Sequence, residues 1–170
     1  MSLDLQVYTR HITDDIIPKV VSRLNDFEMV CEIDPSFSFS DQTGFLPFKF
    51  QLTNPPFDIL KNKTLTSGFE LFIEEFNLAI AKQRLAPKQS FLDKILQKQP
   101  PQIPFFASED IDKRLKNCDQ LLTFVWHVAD SFELRFASLT SAIIAHITGG
   151  VCCYPADDVW YDSENFVEKT

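Results

Sequence analysis

The stretch from Leu121 to Tyr154 constrains the fold more than any other. Leu121–Val128, LLTFVWHV, is the most apolar strand candidate and reads as a sheet centre, buried on both faces. Asp130 or Ser131 can cap the helix that follows, to about Ile147. That helix is apolar around most of its circumference, with small residues at Ala137, Ala142 and Ala145. Such a helix must lie against a sheet, with the alanines allowing close approach. Gly149-Gly150 stops it. Val151–Tyr154 then reads as a strand, Pro155–Asp158 as a turn and Val159–Tyr161 as a final short strand.

The rest of the chain supplies further strands. Leu3, Leu5 and Val7 alternate with polar residues and predict a first strand. Thr13, with Asp14 and Asp15 behind it, starts a helix whose apolar face includes Val20, Leu24 and Phe27. Met29–Ile33 follows. The run Ser36–Ser40, SFSFS, alternates and predicts a strand in a hairpin with Phe45–Leu52 across the Asp41–Gly44 turn. Pro47 marks an edge strand or a bulge. Residues 57–66 read as a connector, and Phe69, Leu71 and Ile73 mark one more strand, which would set a glutamate opposite Lys49. From Asn77 a loop is expected to about Lys88, then a helix from Ser90 to Lys98. Ser108 caps another helix through Leu115.

The expected fold is therefore α+β: a mostly antiparallel sheet with helices packed on one face, ferredoxin-like with insertions. Residues 1–170 form a single domain with a less regular basic insert at about 77–117. A chain of 170 residues with 45% hydrophobic and 24% charged residues can bury a core without metals or disulfides. Cys31, Cys118, Cys152 and Cys153 make no framework spacing, so reduced, largely buried thiols are expected. With no signal-peptide pattern and no transmembrane run, a cytoplasmic location and no membrane partner are expected.

Chemistry is sparsely signalled. His11, His127 and His146 have no metal-ligand spacing, and no metal or other cofactor is expected. Cys118 or Cys153 with His127 or His146 is the one nucleophilic pairing to consider. Four glycines leave little room for a phosphate loop. The net charge of −8 argues against nucleic acid as a partner.

That charge is segregated. Residues 1–78 hold twelve acids and six bases, residues 79–116 four and eight, and residues 117–170 eight and two. In the last segment Asp157, Asp158, Asp162 and Glu164 interleave with Trp160 and Tyr161. These six residues are the candidate partner-binding site, since carboxylates around aromatics suit a basic protein.

The run AIIAHITGGVCCYPADDVWYDSENF resembles a pattern in immunity proteins of polymorphic and contact-dependent bacterial toxin systems. Thr148, Gly149, Gly150, Val151, Pro155 and Trp160 carry the resemblance, over about 25 residues of the chain. It implies a small, acidic, cytosolic, non-catalytic inhibitor that occludes a basic toxin domain. The alternative is a small ligand-binding or enzymatic α+β domain for an anionic small molecule, with Lys82, Arg84 or His127 converging on a Phe-lined pocket. A third reading is a homodimer built through a strand edge near Phe45–Leu52.

Overall fold

A computed structural model describes residues 2–39, 44–87 and 103–162. Among these, seven strands form one sheet in which every neighbouring pair is antiparallel. The strands are β1 (Ser2–Thr9), β2 (Met29–Ile33), β3 (Gly44–Leu52), β4 (Leu65–Glu75), β5 (Gln120–His127), β6 (Val151–Tyr154) and β7 (Val159–Asp162). The helices are α1 (Ile17–Leu24), α2 (Leu78–Leu85), α3 (Glu109–Leu115) and α4 (Ser131–Thr148). The spatial order is β2-β3-β4-β5-β1-β6-β7, so β5 is indeed central.

The expected α+β class holds, and its ferredoxin-like core can be traced. Strands β4, β5, β1 and β6 are neighbours in that order, with α1 following β1 and α4 joining β5 to β6. The unit β5-α4-β6 is a split β-α-β, with β1 running antiparallel between its strands. Strands β2 and β3 extend one side of this core and β7 the other.

Helix α4 lies across β1, β4 and β5 and packs against α1. Asp130 caps it by accepting the N–H groups of Phe132 and Glu133 at 2.8 and 3.1 Å. Ala137, Ala142 and Ala145 are buried against the sheet, as their size allows. Phe136 stacks on Phe48 at 4.6 Å and meets Phe50 edge-on at 4.9 Å. Each such ring, fully buried, contributes about 1.5–3 kcal/mol. Phe48 and Phe50 of β3, Phe69 of β4 and Phe124 of β5 are thus core on this face, while Phe45 and Phe72 are exposed.

The other face carries a smaller core at the β1-β6-β7 side. Tyr8, Leu115, Val151 and Cys153 are buried there, with Phe76, Phe106 and Trp160 packed against them. So α1 and α4 cover one face as expected, while the short α3 contributes Leu115 to the opposite one. The rest of that opposite face is only partly covered. Leu121, Thr123 and Val125 of β5 are half-buried, and among the described residues no long helix crosses that face.

Several local expectations change. Residues 36–39 are not a strand. Asp34 accepts the Ser36 N–H and hydroxyl, and Asp14 accepts the Phe39 N–H at 2.7 Å, which folds Phe37 and Phe39 inward as a pair of rings 4.9 Å apart. The partner of β3 in the hairpin is β2 instead. Lys49 consequently stands opposite Glu32 of β2, and opposite Thr66 of β4. Pro47 lies beyond the end of β2, where β3 is locally an edge and its missing N–H leaves no gap in the ladder. The edge expected near Phe45–Leu52 is therefore limited to the first residues of β3. The loop expected after Asn77 is α2, and the helix expected at 90–98 lies outside the described residues.

Candidate functional site

The ends of β1, β4 and β5 meet α2 around a groove of about 890 Å³. Its floor is aromatic. Tyr8 lies 4.8 Å from Phe76 and 6.1 Å from Phe106, both edge-on. One wall is the face of α2 that presents Ile80, Arg84 and Leu85. Ile80 and Leu85 are 50% and 58% exposed, large for apolar side chains. Glu74, on the same face of β4 as Phe76, and Asp119 are exposed at the rim beside Arg84, while Glu75, the next residue of β4, belongs to the opposite face of the sheet.

Local hydrogen bonds hold this end together. Phe76 N–H donates to the Asp119 carbonyl at 2.8 Å, and Asp119 N–H to the Thr9 carbonyl at 3.0 Å. Gln120 fixes His11. Its Oε1 accepts the Ile12 N–H at 2.9 Å, so its amide nitrogen must face His11 Nδ1, 3.0 Å away. The neutral ring therefore carries its proton on Nε2, a donor at the groove.

Asn77 starts α2 by accepting the Ala79 and Ile80 N–H groups at 3.0 and 3.1 Å. An ion pair between a half-buried lysine and a buried aspartate then pins the helix to α3. Lys82 Nζ lies 2.6 Å from an Asp112 oxygen, with the two side chains 26% and 5% exposed. Asp112 also accepts the Phe106 and Ala107 N–H groups, and Lys82 donates to the Pro104 carbonyl at 2.9 Å. Burial pushes the Asp112 carboxyl up, but the bonds from Lys82, Phe106 and Ala107 outweigh it and hold the group below the usual aspartate range.

The residues expected to bind a partner are split. Asp157 and Asp158 are exposed at the turn before β7. Trp160 is half-buried, stacks on Tyr8 at 5.5 Å and meets Phe106 at 5.8 Å, with its indole N–H donating to Asp158 at 3.0 Å. Tyr161, one residue on, faces the main core. Neighbouring strand residues point to opposite faces, so Trp160 and Tyr161 cannot form one patch. Asp162 ends β7, opposite Val151. Glu164 lies outside the described residues. Through Trp160 and Tyr8 the β7 corner and the groove share one aromatic cluster.

Among the described residues the basic side chains do not converge: Lys82 is paired with Asp112, and Arg84 reaches the groove. His127 sits at the far end of β5, with Nδ1 3.0 Å from Glu133. Lys88, Lys94 and Lys98 lie outside the described residues.

The cysteines are free thiols in environments that oppose ionisation. Burial, with Asp158 and Asp4 nearby, pushes Cys153 up to about 12. Burial and Asp119 push Cys118 up to about 11 against the pull of Arg10. Neither is an activated nucleophile. Among the described residues no group of three His, Cys, Asp or Glu is placed to hold a metal. Nor is any helix among them long and apolar enough to cross a membrane.

The Thr148-Gly149-Gly150 corner has a folding explanation. Gly149 takes a left-handed φ of 66°, and its N–H and that of Gly150 close the end of α4 by donating to the His146 and Ala145 carbonyls. A Cβ on Gly150 would lie 2.6 Å from the Tyr8 carbonyl oxygen. No known protein family, curated protein or solved structure matches the chain.

Proposed function

We propose that this chain is a non-catalytic cytoplasmic binding protein that occludes a basic protein partner, as an immunity-type inhibitor occludes a toxin. One observation carries the reading: Glu74 and Asp119 stand at the rim of a groove floored by Tyr8, Phe76 and Phe106. Aromatics give an interface rigid, desolvating contact area, and surrounding carboxylates steer a cationic partner into it. Asp157 and Asp158 extend the acidic surface on the β7 side, beside Trp160 of the same aromatic cluster. The sequestration of Lys82 and the distance of His127 count against the anionic-ligand alternative.

Capture on the immobilised chain from its source lysate, at low and at high salt, tests this. A basic protein retained at low salt and released at high salt is expected, encoded beside the gene for this chain. Recovery of no basic protein at either ionic strength would refute the proposal.

A further inference from the structure

A second surface stands out at the opposite end of the molecule. The loop between β3 and β4 carries Phe57 and Ile59 at 67% and 77% exposure. It is not loose. Asp58–Leu60 forms a 3-10 turn, with Leu60 N–H on the Phe57 carbonyl and Lys61 N–H on the Asp58 carbonyl, both at 3.0 Å. Pro55 and Pro56 stiffen the approach. Two large apolar side chains on a rigid tip are a ready anchor for a concave apolar site. Lys61 and Lys63 follow them, with Lys61 bridged to Asp58 at 2.7 Å.

The groove is complementary to this tip. Its floor is aromatic, its α2 wall presents Ile80 and Leu85 beside Arg84, its rim carries Glu74 and Asp119, and its volume of about 890 Å³ exceeds what two side chains need. Tip and groove cannot meet within one chain. The tip precedes Leu65 and the groove begins at Glu74, at opposite ends of the eleven-residue β4. At about 3.3 Å per residue that is a separation of about 30 Å. We infer that the Phe57–Ile59 tip of one copy docks in the groove of a second copy. The contact is head-to-tail along β4, so a pair of copies keeps one tip and one groove free. It is small and salt-sensitive, and so weak.

Sedimentation of the full chain over a wide concentration range tests this. The weight-average mass is expected to rise with concentration, and to rise less in high salt. Phe57→Ser/Ile59→Ser and Ile80→Ser/Leu85→Ser change exposed side chains, and each variant alone is expected to stay monomeric. Mixed, they are expected to form a one-to-one dimer, because one keeps the groove and the other the tip. A wild-type chain that is monomeric throughout, variants that assemble like the wild type, or a mixture that stays monomeric would each overturn the inference. The tip variant keeps an intact groove. Its capture of a basic partner therefore reports on the proposed function separately.

Discussion

At the scale of single residues, two adjacent glycines do different work. Gly149 has no atom within 4 Å of a built Cβ, so alanine there meets only the strain of a left-handed backbone, about 1–2 kcal/mol. Gly150 would drive a Cβ against the β1 backbone, which cannot swing away as a side chain can. Gly150→Ala should therefore lower the urea midpoint more than Gly149→Ala. Asp112 gives a pH signature. Its folded carboxyl titrates below that of the unfolded chain, so its contribution is complete above the ordinary aspartate range and drains away as the pH falls through the depressed value. Asp112→Asn leaves a partly exposed Lys82 without its counter-charge and should cost about 1–3 kcal/mol at neutral pH. Denaturation midpoints followed from pH 7 into acid should fall for the wild type and change less for the variant. None of this pairing is legible in sequence, since Lys82 and Asp112 lie in helices joined by a long segment.

At the scale of elements, the sequence was clearest where a cap and a periodic apolar run agree. Ser108 and Asp130 both cap the helices expected of them. Helix α2 was obscured because Leu78, Ile80 and Leu85 form no continuous stripe and Pro87 follows closely. Its signal was Asn77, a good cap that reads equally well as a loop residue. Asn77→Ala should destabilise the protein by about 1 kcal/mol. The loss should show as faster amide exchange at Ala79 and Ile80, whose N–H groups it bonds. The SFSFS run shows the opposite failure. Its alternation is that of a strand, yet Asp34 and Asp14 capture its backbone donors and leave β2 to pair with β3. Asn25 adds a related detail at the sheet edge, where its side chain accepts the Cys31 N–H at 2.8 Å and removes one donor that another strand could use.

At the scale of the whole molecule, the acidic excess becomes a located surface. Composition and charge segregation pointed to an acidic surface and centred it on the C-terminal corner, whereas the groove proposed here lies at the ends of β1, β4 and β5. The groove joins Tyr8, Glu74, Phe76, Phe106 and Asp119, and only folding brings these together. Trp160, singled out in the sequence, does not line the groove but packs as a ring beside Tyr8 rather than standing as an exposed anchor. The most direct test of the account is a quantitative comparison of proteins captured by the wild-type chain and by Glu74→Gln/Asp119→Asn, with both baits confirmed as folded. The account predicts a basic protein enriched at least about tenfold on the wild type at low salt, a loss of about 1.4 kcal/mol or more in the variant. The same basic protein, held equally by both baits, would contradict it.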